Sequence, residues 1–254
     1  MGQALLFQHW KGVFGAVVAN SESVRKELEL GGISPVDVIW NGVPAGAEPA
    51  PLSPDPVAVF AGRLVPEKGV DALLEAFSSV SRGELLIAGI GPERSRLEQL
   101  AITLGLSNQV RFLGQLNPDE LSRSFSGAWV QVVPSRWSEP FGFVAIEAMM
   151  RGAAVIATNS GGLSEIVRHN TTGMLVQPGA VAELTNALNA VLSCRETAER
   201  FGAAGRARAL VHFLDTNWVD QFVRIYERLI EIRKGEYSHH GRNRRPQTCN
   251  LSSH

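Results

Sequence analysis

From about residue 57 onward, short runs of β-branched and aliphatic residues alternate with stretches of helical spacing. The runs cover 57–61, 85–88, 110–113, 130–133 and 154–157. Between them, Val70, Leu73, Leu74 and Phe77 recur at i, i+3, i+4 and i+7, and Leu184, Ala187, Leu188, Val191 and Leu192 repeat the pattern, which puts apolar side chains on one face of a helix. Asn117-Pro118-Asp119-Glu120 combines an N-cap, a first-turn proline and a glutamate at the third helical position, predicting a helix start just after the third run. Strands that are apolar on both faces need helices on both sides. The pattern therefore predicts an α/β protein with a doubly wound, Rossmann-like parallel sheet.

The ends of the chain differ from this middle. Residues 16–19, 21–30 and 36–40 predict one more strand, helix and strand. Pro44, Pro49, Pro51, Pro54 and Pro56 then crowd residues 44–56, a composition expected of an interdomain linker. The first 43 residues are too few for a domain and look like the end of one. The expected organisation is thus a remnant over 1–43, the linker over 44–56, a main domain over 57–216, a helix over 217–233 and a disordered tail over 234–254 carrying Arg242, Arg244 and Arg245. On the helix, Trp218, Phe222, Ile225, Leu229 and Ile232 form one apolar seam, and Val219, Val223, Tyr226 and Ile230 a second. So wide a face calls for more than one partner surface, and any part left bare predicts self-association or a partner.

Composition narrows the class. In 254 residues, 24 Lys and Arg face 25 Asp and Glu, with 19% charged and 44% hydrophobic residues, which excludes disordered, collagenous and polybasic nucleic-acid-binding chains. Cys194 and Cys249 lie far apart without Cys or His at ligand spacing, so neither a zinc site nor a disulfide scaffold is suggested. The apolar N-terminal stretch is broken by Gln8, His9 and Lys11 and lacks a basic head, so it resembles neither a signal peptide nor a membrane span. A cytoplasmic location is expected, or one peripheral to a membrane. The glycan-acceptor patterns at Asn170 and Asn250 then carry no meaning.

In open α/β sheets ligands bind beyond the carboxyl ends of the strands, and the unusual residues of this chain collect there. Gly62, Arg63 and Lys68 follow the first run, Gly89 and Gly91 the second, Gln115 the third, Ser135 and Glu139 the fourth, and Gly161-Gly162 the fifth. The segment from Glu139 to Glu147 places two carboxylates with seven residues between them, the second on an apolar helix face. Such a group must accept hydrogen bonds, and a ribose diol offers two; backbone or an arginine could equally satisfy it. Gly142 opens that helix, where unpaired amides and the helix dipole favour an anion, although a helix-initiating glycine would look the same. Arg63 and Lys68 suit a diphosphate or simple solvation. The chain has no Asp-x-Asp pair, so basic side chains would have to neutralise a leaving diphosphate. Gly89-x-Gly91 suggests a dinucleotide fingerprint, but Arg94 occupies the third glycine position and no acidic residue follows at ribose distance, which speaks against nicotinamide or flavin. His9, His169 and His212 lack a nucleophile or ligand partner.

In these residues the chain resembles the C-terminal, donor-binding half of GT-B glycosyltransferases of family four, the glycosyl transferases group 1. The matching stretches are Phe60-Ala61-Gly62-Arg63-Leu64 with Glu67-Lys68-Gly69, Leu86 to Pro92, Val133-Pro134-Ser135 with Glu139 to Glu147, and Gly161 to Val167. The resemblance covers residues 15–233. It implies that Arg63 and Lys68 hold the donor diphosphate and stabilise its departure, that Glu139 contacts the transferred sugar, and that Glu147 holds the ribose. Backbone amides near Gly142 and Phe143 would bind sugar or phosphate, and the loops at Gly91 and Gln115 would line the base pocket. Gly62, Gly89, Ser135 and Phe141 would be further donor-binding residues. It further implies a retained anomeric configuration, no metal or other cofactor, and a front-face mechanism in which a donor phosphate oxygen takes the acceptor proton. Family members carry a complete N-terminal domain with the acceptor site, of which this chain is expected to keep only the last strand, helix and strand.

Three readings follow. The first is a retaining hexosyltransferase using a nucleotide sugar and a carbohydrate, lipid or other small-molecule acceptor, with the acceptor half supplied by a partner chain or homo-oligomer. The second is a non-catalytic nucleotide-sugar-binding module or truncated product. The third is a GT-B hydrolase or epimerase.

Overall fold

The computed structural model describes residues 13–241, with side chains through Lys234. The expectations placed on residues 1–12 and 242–254, including those for His9, Cys249, Arg242, Arg244, Arg245 and Asn250, lie outside the described residues. The described chain begins with β1 (Val18–Ala19), α1 (Glu22–Leu30) and β2 (Asp37–Val38), the predicted strand, helix and strand with shorter strands, β1 and β2 pairing in parallel.

The main body follows as β3 (Val57–Ala61), α2 (Val70–Phe77), β4 (Glu84–Ala88), α3 (Arg94–Thr103), β5 (Val110–Gly114), α4 (Pro118–Ser124), β6 (Val130–Val133), α5 (Phe143–Met150), β7 (Ala154–Thr158), α6 (Leu163–Ile166), β8 (Gly173–Val176), α7 (Val181–Leu192), α8 (Arg195–His212) and α9 (Asp215–Gly241). Strands β3 to β8 form one sheet in the order β5-β4-β3-β6-β7-β8, every pair parallel. The edge strand β8 has only three apolar residues after a glycine, too short a run to stand out in the sequence. Helices α2, α3 and α7 cover one face, burying Leu73, Leu74, Phe77, Leu97 and Leu188 against Phe60, Leu85 and Ile87. On the other face α4 packs over Val59 and Leu86, while α5 and the end of α8 pack over Val133, Val155 and Ala157. The chain leaves β3 outward to β4 and β5, then returns to β6 on the other side of β3. The crevice between β3 and β6 is therefore the topological switch point where this architecture binds ligands.

The proline-rich stretch is fastened rather than loose. Proline lacks an N–H, so such a stretch offers mainly carbonyls for recognition, and side-chain donors meet them. Trp129 Nε1 donates to the Ser53 carbonyl at 2.9 Å, Arg195 donates to the carbonyls of Leu52 and Ser53 at 2.9 and 3.2 Å, and Arg206 donates to that of Ala47 at 3.3 Å.

The N-terminal segment is tied down by Glu165. Its carboxylate accepts from the backbone amides of Glu22 and Ser23, each at 2.9 Å, and from Trp40 Nε1 at 3.1 Å, so a charge from α6 caps the amino end of α1. Ser21 caps the same helix and donates its hydroxyl to the Pro140 carbonyl at 2.6 Å. Glu165→Ala is expected to release α1: amide hydrogen exchange over residues 22–30 rises while that of β3 to β7 stays unchanged. Equal protection of α1 in both proteins would contradict this.

The long helix departs from expectation. It runs from Asp215 through Gly241 rather than ending at 233. Of its two seams, Phe222, Ile225 and Leu229 are half-buried, with Leu229 against Gly15, and Arg228 pairs with Asp37 at 2.5 Å. Val219, Val223, Tyr226 and Ile230 are exposed. Among the described residues no helix is long and apolar enough to cross a membrane.

Candidate active site

The loop leaving β3 carries Gly62 and Arg63, buries Leu64, and turns through a short 3-10 helix, Pro66–Lys68, into α2. A backbone bond from Arg136 N to the Glu67 carbonyl, 2.8 Å, joins this turn to the loop leaving β6. The two loops thereby bring Lys68 and Glu139 into contact. Lys68 Nζ donates to Glu139 Oε1, and Ser135 Oγ donates to the same oxygen at 2.6 Å. Among the described residues no donor reaches Glu139 Oε2, which leaves one carboxylate oxygen for a ligand hydroxyl. Both side chains are partly shielded, Glu139 at 13% and Lys68 at 27% exposure. A low local dielectric strengthens such contacts.

The loop between Ser135 and α5 is shaped by its neighbours. Gly162 N donates to the Glu139 carbonyl at 2.8 Å. Gly161 has φ +56°, and a Cβ on it would lie 2.2 Å from that carbonyl oxygen. Gly142 opens α5 at φ +121°, with Leu163 Cδ2 only 2.6 Å from where its Cβ would be. The glycine is thus required by backbone conformation and by packing on α6. Beyond it, the amides of Phe143 and Val144 meet no acceptor among the described residues, and free amides at a helix start suit an anion. Phe141 turns its ring into the core, edge-on to Phe143 and Phe213, so only its backbone borders the loop. Phe143 is 46% exposed.

A cavity of about 400 Å³ opens at the carboxyl ends of β3, β4 and β5, lined by Gly62, Arg63, Gly89, Ile90, Gln115 and Leu121 among others. Arg63 is exposed there and makes no ion pair with any described residue. Gly91 abuts the backbone of Leu64 instead. Glu147 lines a second cavity, of about 560 Å³, with Arg123, Phe125, Arg151 and the linker from Val43 to Ala50. Helix α4 borders both cavities, Leu121 facing the first and Ser122 the second.

Lys68, Ser135 and Glu139 are therefore in direct contact, Gly62, Arg63, Gly89 and Gln115 surround one cavity, and Gly142 and Phe143 stand at the helix start. The structure does not bring Gly91, the Phe141 ring or Glu147 into these groups. Two features were not singled out from sequence. Glu165 sits in a stretch that was, but its role as cap of α1 depends on a contact 143 residues away. Gln131, a polar residue within an apolar strand, was a visible signal. His169 Nδ1 accepts from Leu175 N at 3.0 Å beside β8, and His212 packs edge-on to Trp40. Among the described residues no three His, Cys, Asp or Glu side chains form a metal-binding cluster.

Burial pushes the Glu147 carboxyl above its ordinary value, with Arg151 opposing the shift. Between the unfolded and folded values the native protein holds a proton that the unfolded chain has released. Ionisation therefore opposes folding, and stability falls as pH rises through the carboxylate range. Glu147→Gln is expected to melt at a higher temperature than the parent near pH 7, the gain vanishing below the carboxylate range. Identical melting of the two near neutrality would contradict this.

The sequence model described as "Glycosyl transferases group 1" matches residues 47–208. The D-inositol 3-phosphate glycosyltransferase of Nocardia farcinica is 35% identical over 228 residues, 80% of this chain and 49% of that protein. Sucrose-phosphate synthase from Thermosynechococcus elongatus superposes with a TM-score of 0.78 at 30% identity, over 85% of this chain and 59% of that one. Anabaena HepE, solved in complex with UDP and glucose, gives 0.77 at 26% identity over 84% and 63%. The chain spans about half or less of the length of the curated relatives it matches.

Proposed function

Since this chain belongs to the glycosyl transferases group 1 family and has the fold of one GT-B half, we propose that it binds the donor in a retaining hexosyl transfer from a nucleotide-diphosphate sugar. The observation that carries this reading is the contact of Lys68 and Ser135 with one oxygen of Glu139 at the switch point, beside the cavity at β3 to β5. The base lies toward Gln115, the diphosphate lies among Arg63, Lys68 and the helix start at Phe143 and Val144, and the ribose is assigned to Glu147 on the family resemblance, although that carboxylate lines the neighbouring cavity across α4. The free Glu139 oxygen accepts a hydroxyl of the sugar.

The bond between the anomeric carbon and the diphosphate oxygen breaks, and the electron pair stays on the diphosphate. Arg63 and Lys68 counter that charge, stronger in effect as the bond lengthens, so they favour the transition state over the bound donor. On the same face the acceptor hydroxyl oxygen bonds to the anomeric carbon and its proton passes to a donor phosphate oxygen, leaving the glycoside and the nucleoside diphosphate. No protein base, resident metal or cofactor enters these steps. The acceptor, a carbohydrate, lipid or other small molecule, is held by a further α/β half docked along the exposed seam of α9. UDP and glucose bound to Anabaena HepE support a nucleotide-sugar donor.

The test is a thermal-shift panel with UDP, GDP and ADP and their glucose and mannose conjugates. A ligand at 100 times its dissociation constant is expected to stabilise by about 2.7 kcal/mol. A protein that responds to none of them would overturn the proposal.

A further inference from the structure

Gln131 sits at the middle of β6, with no exposed surface. A primary amide buried there costs stability unless its groups are bonded. It is bonded on both sides. Its Nε2 donates to the Val144 carbonyl at 2.9 Å, tying the first turn of α5 to the central strand. Its Oε1 accepts from Arg151 Nη2 at 2.5 Å. Arg151 caps the other end of α5, and its guanidinium lies over the Phe125 ring at 5.7 Å.

Arg151 is also four residues after Glu147, the spacing at which a carboxylate and a guanidinium on one helix meet. They do not pair. Among the described residues Glu147 forms no salt bridge and receives no hydrogen bond, although both side chains line the same cavity. The fork that would close on Glu147 is held by Gln131 and Phe125 instead. Arg151 thus supplies positive charge near the carboxylate without occupying its lone pairs. We propose that the Arg151–Gln131 pair is a positioning device for Glu147, keeping its carboxylate a charged and unoccupied acceptor for the hydroxyls of the donor. This rests on the reading of Glu147 as a donor contact.

Other charges face the same cavity. Arg123 comes from α4, and Glu48 comes from the linker, where Arg206 pairs with it at 3.2 Å. Burial pushes the Glu147 carboxyl up and Arg151 pulls it down, so the opposing influence comes from the residue that Gln131 restrains.

The test follows the Glu147 carboxyl carbon by NMR as pH is varied, without nucleotide, with the signal assigned from its absence in Glu147→Gln. Affinities for UDP, GDP and ADP are measured in parallel by calorimetry. Arg151→Met removes the charge, and the titration midpoint is expected to rise. Gln131→Leu frees Arg151 to pair with Glu147: the midpoint is expected to fall, yet nucleotide affinity near pH 7 is expected to weaken about tenfold, because a direct pair takes the lone pairs. A variant that merely loosened the fold would not make the carboxyl more acidic while weakening binding. Should Arg151→Met fail to fold, Arg151→Lys, which keeps the charge but loses the fork, is expected to behave as Gln131→Leu does.

An unmoved midpoint in Gln131→Leu and in the Arg151 variants would overturn the positioning role. Unchanged nucleotide affinity in Glu147→Gln would instead remove Glu147 from the donor site, whatever the titration shows, and with it the purpose assigned to the pair.

Discussion

Glu139→Ala is expected to lower sugar transfer by about 10³-fold, with a smaller change in KM for the donor, the range seen when one preorganised polar group is removed from a reacting centre. Two consequences of the change act together. The free Oε2 no longer orients the transferred sugar, and Lys68 loses the partner that aims it at the crevice. Lys68→Met should therefore cost a comparable factor, and the double variant little more than either, since the two side chains act as one unit. Glu139→Gln separates the effects, keeping an acceptor oxygen but not the charge that holds Lys68. Transfer kinetics with donor and acceptor, for the single and double variants, decide the matter. Transfer by Glu139→Ala within a few-fold of the parent would show that the contact is structural.

Gly161→Ala is expected to be the most damaging of the small substitutions near the site. At φ +56° a side chain is strained, and the added methyl would sit 2.2 Å from the Glu139 carbonyl and 2.8 Å from Ser138 Oγ. The contact is with backbone, so the loop bearing Glu139 must move. Strain and overpacking together are expected to cost about 3 kcal/mol, a fall in melting temperature of roughly 6–12 °C for a chain of this size. Transfer should drop further than stability alone explains, because the displaced segment is the one that places the carboxylate against Lys68. Calorimetry and kinetics on the same preparation test both parts, and a variant that melts within a degree or two of the parent would contradict the packing argument.

The contrast between these residues and others shows what a sequence discloses. The strands β3, β4 and β7 were legible because burial on both faces leaves an apolar run, β5 and β6 because their runs are broken only at Arg111 and Gln131, and α4 because its cap is local: Asn117 accepts from Glu120 N at 2.9 Å, as the spacing implied. The contact of Lys68 with Glu139 was foreshadowed only through loop order, since both follow strands that adjoin at the switch point. What stayed hidden depends on pairs far apart in the chain. Nothing near Glu165 shows that it caps α1, and nothing near Glu147 shows that helix α4 divides the space so that it faces a different cavity from Gln115. The tail beyond residue 233 was misjudged for another reason: lack of an apolar stripe signals lack of burial, not lack of helix, and α9 continues through Gly241.

The segment from Ala47 to Ser53 is gripped by its main-chain oxygens, with the indole of Trp129 and two guanidiniums doing the gripping. Every amino acid presents the same oxygen, so the identity of the residues at 47 and 53 is nearly invisible to this clasp. The specificity of the path resides in Trp129, Arg195 and Arg206. Positions 47 and 53 are thus free to drift while the strap's course over the domain persists, and the constraint on them must be sought in three letters written far downstream.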